Sequence, residues 1–337
     1  MVDAYTGKVM TVLGPIAPEQ LGAVLMHEHV YGDIDGMVEG ATPPDRVELL
    51  RAYCAPYLKR LRDYGCYAFV DCTPLPMRAE PWVYQEMSRS SGFNIIQSTG
   101  FYREAAANEF RPCGASVPHR WMDPRTVSGS VDEIADIMVG EFEGGIRGSD
   151  VRPGVIKLAT TLVDLTDAER KSFQAGAKAQ RATGMAITTH AVGLGVAKSQ
   201  LDTLEAAGAD PGRVMLGHTN SDIVETPWVV RQCMDRGATF LATNLRVDGD
   251  PRGLQRLVNE LNRLFDHGYG DRLGLGLDWA FENEQGPFIP CSFMPPPPYI
   301  YMFTHALPRL RELGLCDAAI QLMLVDNPAR LLPLASI

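Results

Sequence analysis

Short apolar runs recur along the chain, each bounded by turn residues and followed by a longer stretch whose apolar residues return every three or four positions. The runs are Val24–Met26, Ala68–Val70, Asn94–Gln97, Val155–Leu158, Ala186–Thr189, Val214–Leu216, Thr239–Ala242 and Leu273–Leu277. The stretches between them include Val47–Tyr64, Val131–Glu143, Asp167–Ala182, Val196–Ala207, Pro227–Arg236, Gly253–Phe265 and Tyr299–Leu313. The short runs predict buried strands, and the three-to-four spacing predicts helices that bury one face. Strand-then-helix alternation implies a parallel sheet, because parallel neighbours need a crossover connection. Eight such units predict an α/β fold, a closed (β/α)8 TIM barrel, as a single domain over residues 1–337. No internal sequence repeat or low-complexity linker divides the chain, and the run Pro295–Pro298 is short enough to stiffen one loop only.

Two connections exceed what a barrel needs. One runs from Gly100 to about Ser130, after the third strand; the other runs from Trp279 to Pro298, after the eighth. Both leave the C-terminal ends of strands, the face on which barrel active sites stand, and long loops in compact domains tend to be functional. They are candidates for a lid and a pocket wall.

Composition narrows the partners. With 45% hydrophobic and 21% charged residues the chain can fill a large core, and the net charge of −10 with no Lys/Arg-rich block argues against a nucleic-acid partner. The cysteines, at 54, 66, 72, 113, 233, 291 and 316, are scattered and form no Cys-x-x-Cys, which fits thiols in a reducing compartment. The segment Met1–Lys8 lacks the apolar core of a signal peptide, and no apolar run reaches the length of a membrane span. The expectation is a cytoplasmic protein with no membrane partner, acting on a small-molecule substrate, with a homodimer as the candidate assembly.

The chemistry gathers at the strand ends. The first strand closes in His27-Glu28-His29; two imidazoles two residues apart on a strand share a face, with Glu28 on the other. The fourth closes at Lys157, the fifth at His190, the sixth at His218 and the eighth at Asp278. Barrel topology brings these ends to one mouth, and neutral imidazole and carboxylate are the ligands of zinc-type ions, so the constellation is read as a metal site. Lys157 is the odd member, because an ammonium has no acceptor and repels a cation. It is either a charge for substrate or an amine modified into an anion. His119, His267 and His305 lie off the strand ends and are read as structural or surface residues.

These residues, with the segments around them, resemble the phosphotriesterase-like branch of the amidohydrolase superfamily, which includes phosphotriesterase-related proteins and lactonases. The segments are Thr11–Ile16, Leu25–His29, Val70-Asp71, Thr99–Tyr102, Ile156–Thr160, Thr189–Ala191, Leu216–His218 and Asp326–Leu332. The resemblance implies a (β/α)8 hydrolase with two divalent metal ions, zinc by ligand chemistry. By that resemblance His27, His29 and Asp278 hold one ion, His190 and His218 the other, and Lys157, carboxylated by CO2, bridges both. Such a pair lowers the pKa of a bridging water and polarises the scissile group, with Asp278 as the catalytic proton carrier.

The resemblance also suggests substrate contacts. Tyr102 stands where the family's lactonases present a tyrosine, though an aromatic packed under the lid is the other reading. Arg246 lies on the loop after the seventh strand, where lactonases carry an arginine, offset by about one residue. Trp279, with Phe281, Phe288 and Phe293, is expected on an apolar wall, while Glu282 and Glu284 would disfavour a strongly anionic substrate nearby. Arg103 and Glu104 are either pocket groups or a solvated pair, and Cys72 is read as a buried thiol. The implied function is hydrolysis of a lactone or carboxylic ester by a metal-bridging hydroxide, with side activity on phosphotriesters. The alternatives are an amidohydrolase of N-acylated amines or amino acids, and a ligand-binding barrel without catalysis; a complete ligand set that retains Asp278 speaks against the last.

Overall fold

The eight apolar runs are the eight strands of one parallel sheet. They are β1 (Ala23–Glu28), β2 (Cys66–Asp71), β3 (Asn94–Gly100), β4 (Val155–Ala159), β5 (Ala186–His190), β6 (Val214–Gly217), β7 (Thr239–Ala242) and β8 (Leu273–Leu275). Their spatial order follows the chain from β1 to β8, and every neighbouring pair is parallel. The ring closes just beyond β8, where the Asp278 N–H donates to the His27 carbonyl (2.9 Å) and the His29 N–H to the Trp279 carbonyl (2.7 Å). The fold is therefore a (β/α)8 barrel. This computed structural model describes residues 4–32, 44–75, 77–104, 123–160, 163–279, 281–282 and 297–337. Much of both long loops, with His119, Cys113, Cys291, Glu284, Phe288 and Phe293, lies outside the described residues.

Crossover helices form where the amphipathic stretches predict them. Ser130 with Glu133 and Thr166 with Glu169 make reciprocal capping boxes that open the helices Val131–Gly144 and Asp167–Thr183. Gly184, at φ 72°, takes the left-handed conformation that ends the second of these. Pro251–Leu264 buries Leu254, Leu257, Val258, Leu261 and Leu264, one stripe at helical spacing. Two expected helices are interrupted, both at prolines that cannot donate a backbone hydrogen bond. The stretch from Val47 divides into Pro44–Tyr53 and Ala55–Leu61, the second with Pro56 in its first turn. The stretch from Tyr299 passes through a wide turn, Met302–Ala306, before Leu307–Glu312, which carries Pro308. The second crossover is filled by Pro81–Ser91, a helix beyond those read from the sequence.

Alternation along the strands splits the core in two. Leu25, Phe69, Ile95, Ile156, Ile187, Leu216 and Phe240 pack outward beneath the helices. Val24, Met26, Ala68, Val70, Ile96, Val155, Ala186, Met215 and Leu241 fill the barrel. The N-terminal hairpin (Val9–Thr11 paired with Gly14–Ile16) contributes Val9 to this inner cluster, Leu21 joins it just before β1, and the final helix Asn327–Leu331 with the residue after it adds Leu331 and Leu332. One end of the barrel is thus plugged with apolar side chains, and the polar strand ends stand at the other. Cys54, Cys66, Cys72 and Cys233 are buried unbridged thiols, while Cys316 is exposed. No helix among the described residues is long and apolar enough to cross a membrane.

Candidate metal centre

A bulge in β1 aims the two histidines. Leu25 pairs with Phe69, but Glu28 pairs with Asp71, so three steps along β1 match two along β2. The extra residue breaks strict alternation, the usual way a strand re-aims a side chain beside a site. Before the bulge Val24 and Met26 fill the barrel; after it the His27 ring lies 4.4 Å from that of His218 and 5.8 Å from that of His29. Met26 and His27, neighbours in sequence, therefore both face the axis. Room for the His27 ring comes from two glycines. A Cβ on Gly217 would sit 2.8 Å from His27 Nδ1 and collide with the Thr189 carbonyl, and one on Gly276 would sit 2.8 Å from His27 Cβ.

All six residues read as ligands from the sequence meet at this mouth. Lys157 Nζ lies 3.0 Å from His27 Nε2. Asp278 Oδ1 lies 3.1 Å from His29 Nε2 and 3.6 Å from His27 Nε2, and Oδ2 lies 3.9 Å from His218 Nδ1. The rings of His190 and His218 are 4.5 Å apart. His218 and Asp278 both hold positive φ, 61° and 63°, a conformation that costs a side-chain-bearing residue ~1–3 kcal/mol and persists only where neighbours impose it.

Those neighbours are polar, and all but the half-buried Asn220 are buried. Thr73 Oγ1 hydrogen-bonds His29 Nδ1 and Thr243 Oγ1 hydrogen-bonds His218 Nδ1, each at 2.8 Å. Asp71 accepts the N–H groups of Val30 (2.6 Å) and Thr73 (3.0 Å), and Asn220 accepts the Thr243 N–H while donating to its carbonyl. Sequence patterning assigns no role to Thr73, Thr243 or Asn220. The only signal for them is position, a hydroxyl or amide just past an apolar strand.

Burial sets the protonation states. It pushes His27 and His190 well below the ordinary imidazole value and His218 down to about 4, with the Lys157 charge adding to it in each case. Burial also lowers the Lys157 amine, against Cys72, Asp278 and Asp71. For Asp278, burial acts upward, but His218, the hydrogen bond with His29 and Lys157 outweigh it and hold the carboxyl at about 2. Neutral imidazoles around an ionised carboxylate are the ligand forms of a cation site. One ligand atom each of His27, His218 and Asp278 lies within 4.8 Å of the other two. Among the described residues His218 Nε2 is buried without a hydrogen-bond partner, a deficit of ~1–3 kcal/mol that a metal would relieve. The donor set fits a divalent ion.

The expected substrate contacts divide. The Tyr102 ring is 5.5 Å from that of His190, and the Arg103 guanidinium lies 5.7 Å from the Tyr102 ring centre. Arg103 is only 8% exposed, and its charge contributes to lowering His190 and His218. Arg246 is not brought to the cluster: it pairs with Asp248 at 3.0 Å, with its side chain 48% exposed. Trp279 is not on an open wall either. It is 1% exposed and packs in the core, its ring 6.2 Å from that of Tyr299, where its carbonyl accepts the His29 N–H and its own N–H is given to Glu28. His267 and His305 lie away from the site, hydrogen-bonded to the Arg263 carbonyl and stacked on Tyr301 respectively.

The model of the phosphotriesterase family matches residues 7–332. An organophosphorus hydrolase from Deinococcus radiodurans superposes with a TM-score of 0.80 at 30% identity, covering 97% of each chain. A structure from the engineering of organophosphate hydrolysis activity into a weak promiscuous lactonase template gives 0.79 at 29%, covering 96% of this chain and 99% of the other. The N-acetyltaurine hydrolase of Salmo salar is 24% identical over 367 aligned positions, 98% of this chain and 99% of that protein.

Proposed function

Because the chain belongs to the phosphotriesterase family, we propose that it is a binuclear metal-dependent hydrolase that cleaves a lactone or carboxylic ester. The observation that carries this reading is the convergence of His27, His29, His190, His218, Asp278 and Lys157 on one barrel mouth. His27, His29 and Asp278 would hold one ion and His190 and His218 the other, with Lys157 joining both as a carbamate. The ammonium would give up one proton to become the free amine, and the amine would add to carbon dioxide and give up a second, so that a cation that repels metal would become an anionic ligand. When bound, the ions supply Lewis acidity to water and to the scissile carbonyl. Asp278 presents Oδ1 to His27 and His29 and Oδ2 to the other side of the site. Oδ2 is the atom suited to take a proton from the attacking water and return it to the leaving oxygen. Tyr102, beside His190, would orient the substrate carbonyl.

The test is a hydrolysis screen on metal-loaded protein with lactones, carboxylic esters, N-acyl amines and aryl phosphotriesters. The largest kcat/KM is expected on a lactone or ester, and turnover confined to amides would overturn that choice.

A second reading, cleavage of an N-acyl amine that carries an anionic group, has one observation of its own. Arg103 puts a buried cation at the mouth, and a relative that spans almost the whole chain is an N-acetyltaurine hydrolase. Under this reading Arg103→Ala raises KM for N-acyl amino acids and N-acyl sulfonates by ~10-fold or more, the scale of one charge-assisted hydrogen bond, and leaves KM for neutral lactones alone. Equal effects on both classes would remove it.

A further inference from the structure

Glu28, the residue between the two site histidines, is 0% exposed, and the proposed chemistry gives it no task. Its two carboxylate oxygens are both occupied by one short segment of another strand's exit. Oε1 accepts the Leu277 N–H at 2.6 Å and Oε2 the Trp279 N–H at 2.9 Å, the amides on either side of Asp278. The intervening Asp278 N–H goes to the His27 carbonyl at 2.9 Å. Three successive amides of the β8 exit are thus tied to two successive residues of β1, and the residue so held has φ 63°.

That arrangement is more than ordinary ladder pairing. A strand offers a neighbour alternate amides only, since successive backbone groups point to opposite sides. Here the side chain reaches the amides that the β1 backbone does not. The bulge in β1 produces this: having shifted His27 onto the inward face, it leaves Glu28 directed away from the site and toward β8. Asp71, its partner in the β1–β2 register, does parallel work for His29 through the Val30 and Thr73 amides. A hydrophobic residue at position 28 would fill the volume but leave two buried donors unmet.

We propose that Glu28 is a positioning residue that holds Asp278 in its left-handed conformation and so sets the direction of its carboxylate. The inference rests on the metal-centre reading for its functional consequence, while the clamp itself can be tested without metal. In Glu28→Gln the amide keeps one acceptor and turns an NH2 against the second N–H, breaking one bond at nearly constant volume.

Four measurements test this. Amide hydrogen exchange of the apo-protein is expected to quicken at Leu277 and Trp279 in Glu28→Gln, with the β5 and β6 amides unchanged. Metal titration of the same variant is expected to show a loss of ~10–100-fold for one of the two ions, the usual effect of removing a ligand's orienting partner. In turnover kcat falls and KM holds. In an Asp278→Asn background the further loss of kcat is expected to be less than about twofold, because a residue acting through Asp278 has nothing left to act on. Unchanged exchange at Leu277 and Trp279 overturns the clamp, and an equal loss in both backgrounds reduces it to a general structural role. A wild-type protein that binds no metal overturns the metal-centre reading instead, with the exchange result still deciding the clamp. If Glu28→Gln does not fold, Glu28→Asp, which keeps both acceptors on a shorter stem, is expected to give the same exchange signature.

Discussion

At the scale of single residues the site sets one carboxylate among four imidazoles, two of them buried, and one buried amine. Asp278 is the site's carboxylate: burial acts upward on it, while His218, the hydrogen bond with His29 and Lys157 hold it low, and the proposed reaction uses it as the base. Asp278→Asn keeps the size and one ligating oxygen but removes that base. A fall in kcat of at least ~100-fold is expected, the scale of general acid–base contributions, with a small change in KM, measured by initial rates with metal content checked alongside. Full activity with both ions bound would exclude the proton-carrier role. Lys157 is 1% exposed and can serve a cation only after its charge is reversed. Lys157→Ala is expected to abolish turnover, with partial return on adding a short carboxylic acid as replacement bridge. Lys157→Arg is expected to remain inactive, because a guanidinium neither carbamylates nor ligates; wild-type turnover in that variant would contradict the carbamate.

At the scale of elements the question is how regular strands deliver irregularly placed side chains. Strict alternation explains why His27 and His29 share a face, and that much is legible in the sequence. It does not explain why both Met26 and His27 face the axis; that takes the bulge opposite Phe69–Asp71. Bulges leave little trace in a hydrophobic pattern, since they move one residue without changing composition. The interruption at Pro56 and the helix Pro81–Ser91 escape the pattern for a related reason, as periodicity alone smooths over a proline restart. Glycines make the geometry possible. Gly217→Ala is expected to destabilise the fold by ~1–3 kcal/mol through overpacking and to weaken metal binding, since the new Cβ presses on His27 Nδ1 and the Thr189 carbonyl. Gly140→Ala is the contrast. Gly140 lies inside the helix Val131–Gly144, and a Cβ added there would meet nothing within 4 Å, so a gain of up to ~1 kcal/mol is expected from helix propensity. Thermal unfolding of the two variants beside the wild type checks both; a neutral Gly217→Ala would mean that β6 can yield at the His27 ring.

At the scale of the whole molecule, the strand–helix repeat predicts the barrel and its strand ends predict the site. What seals the barrel has no such signal. The plug joins Val9 and Leu21, near the start of the sequence, to Leu331 and Leu332, near its end, and the closure of β8 on β1 runs through the site itself. The His27 carbonyl, the His29 N–H and the Glu28 carboxylate all bind the segment Leu277–Trp279. Such long-range pairings have no local signature, because neither partner's pattern names the other. They also predict that site and fold are coupled. Ions held jointly by β1 and Asp278 would clamp the last strand to the first and should stabilise the entire barrel. If free metal stands about a hundredfold above its dissociation constant, the gain is about 2.7 kcal/mol, or on the order of 5 °C in Tm for a chain this long. Comparing chelator-treated with metal-loaded protein by calorimetry is expected to show a shift of that order, reversed on adding metal back. Hydrogen exchange of the two forms is expected to differ most at the amides of residues 27–30 and 277–279. A shift in Tm without slower exchange there would place the bound metal elsewhere, and no shift under saturating metal would remove the coupling between site and closure.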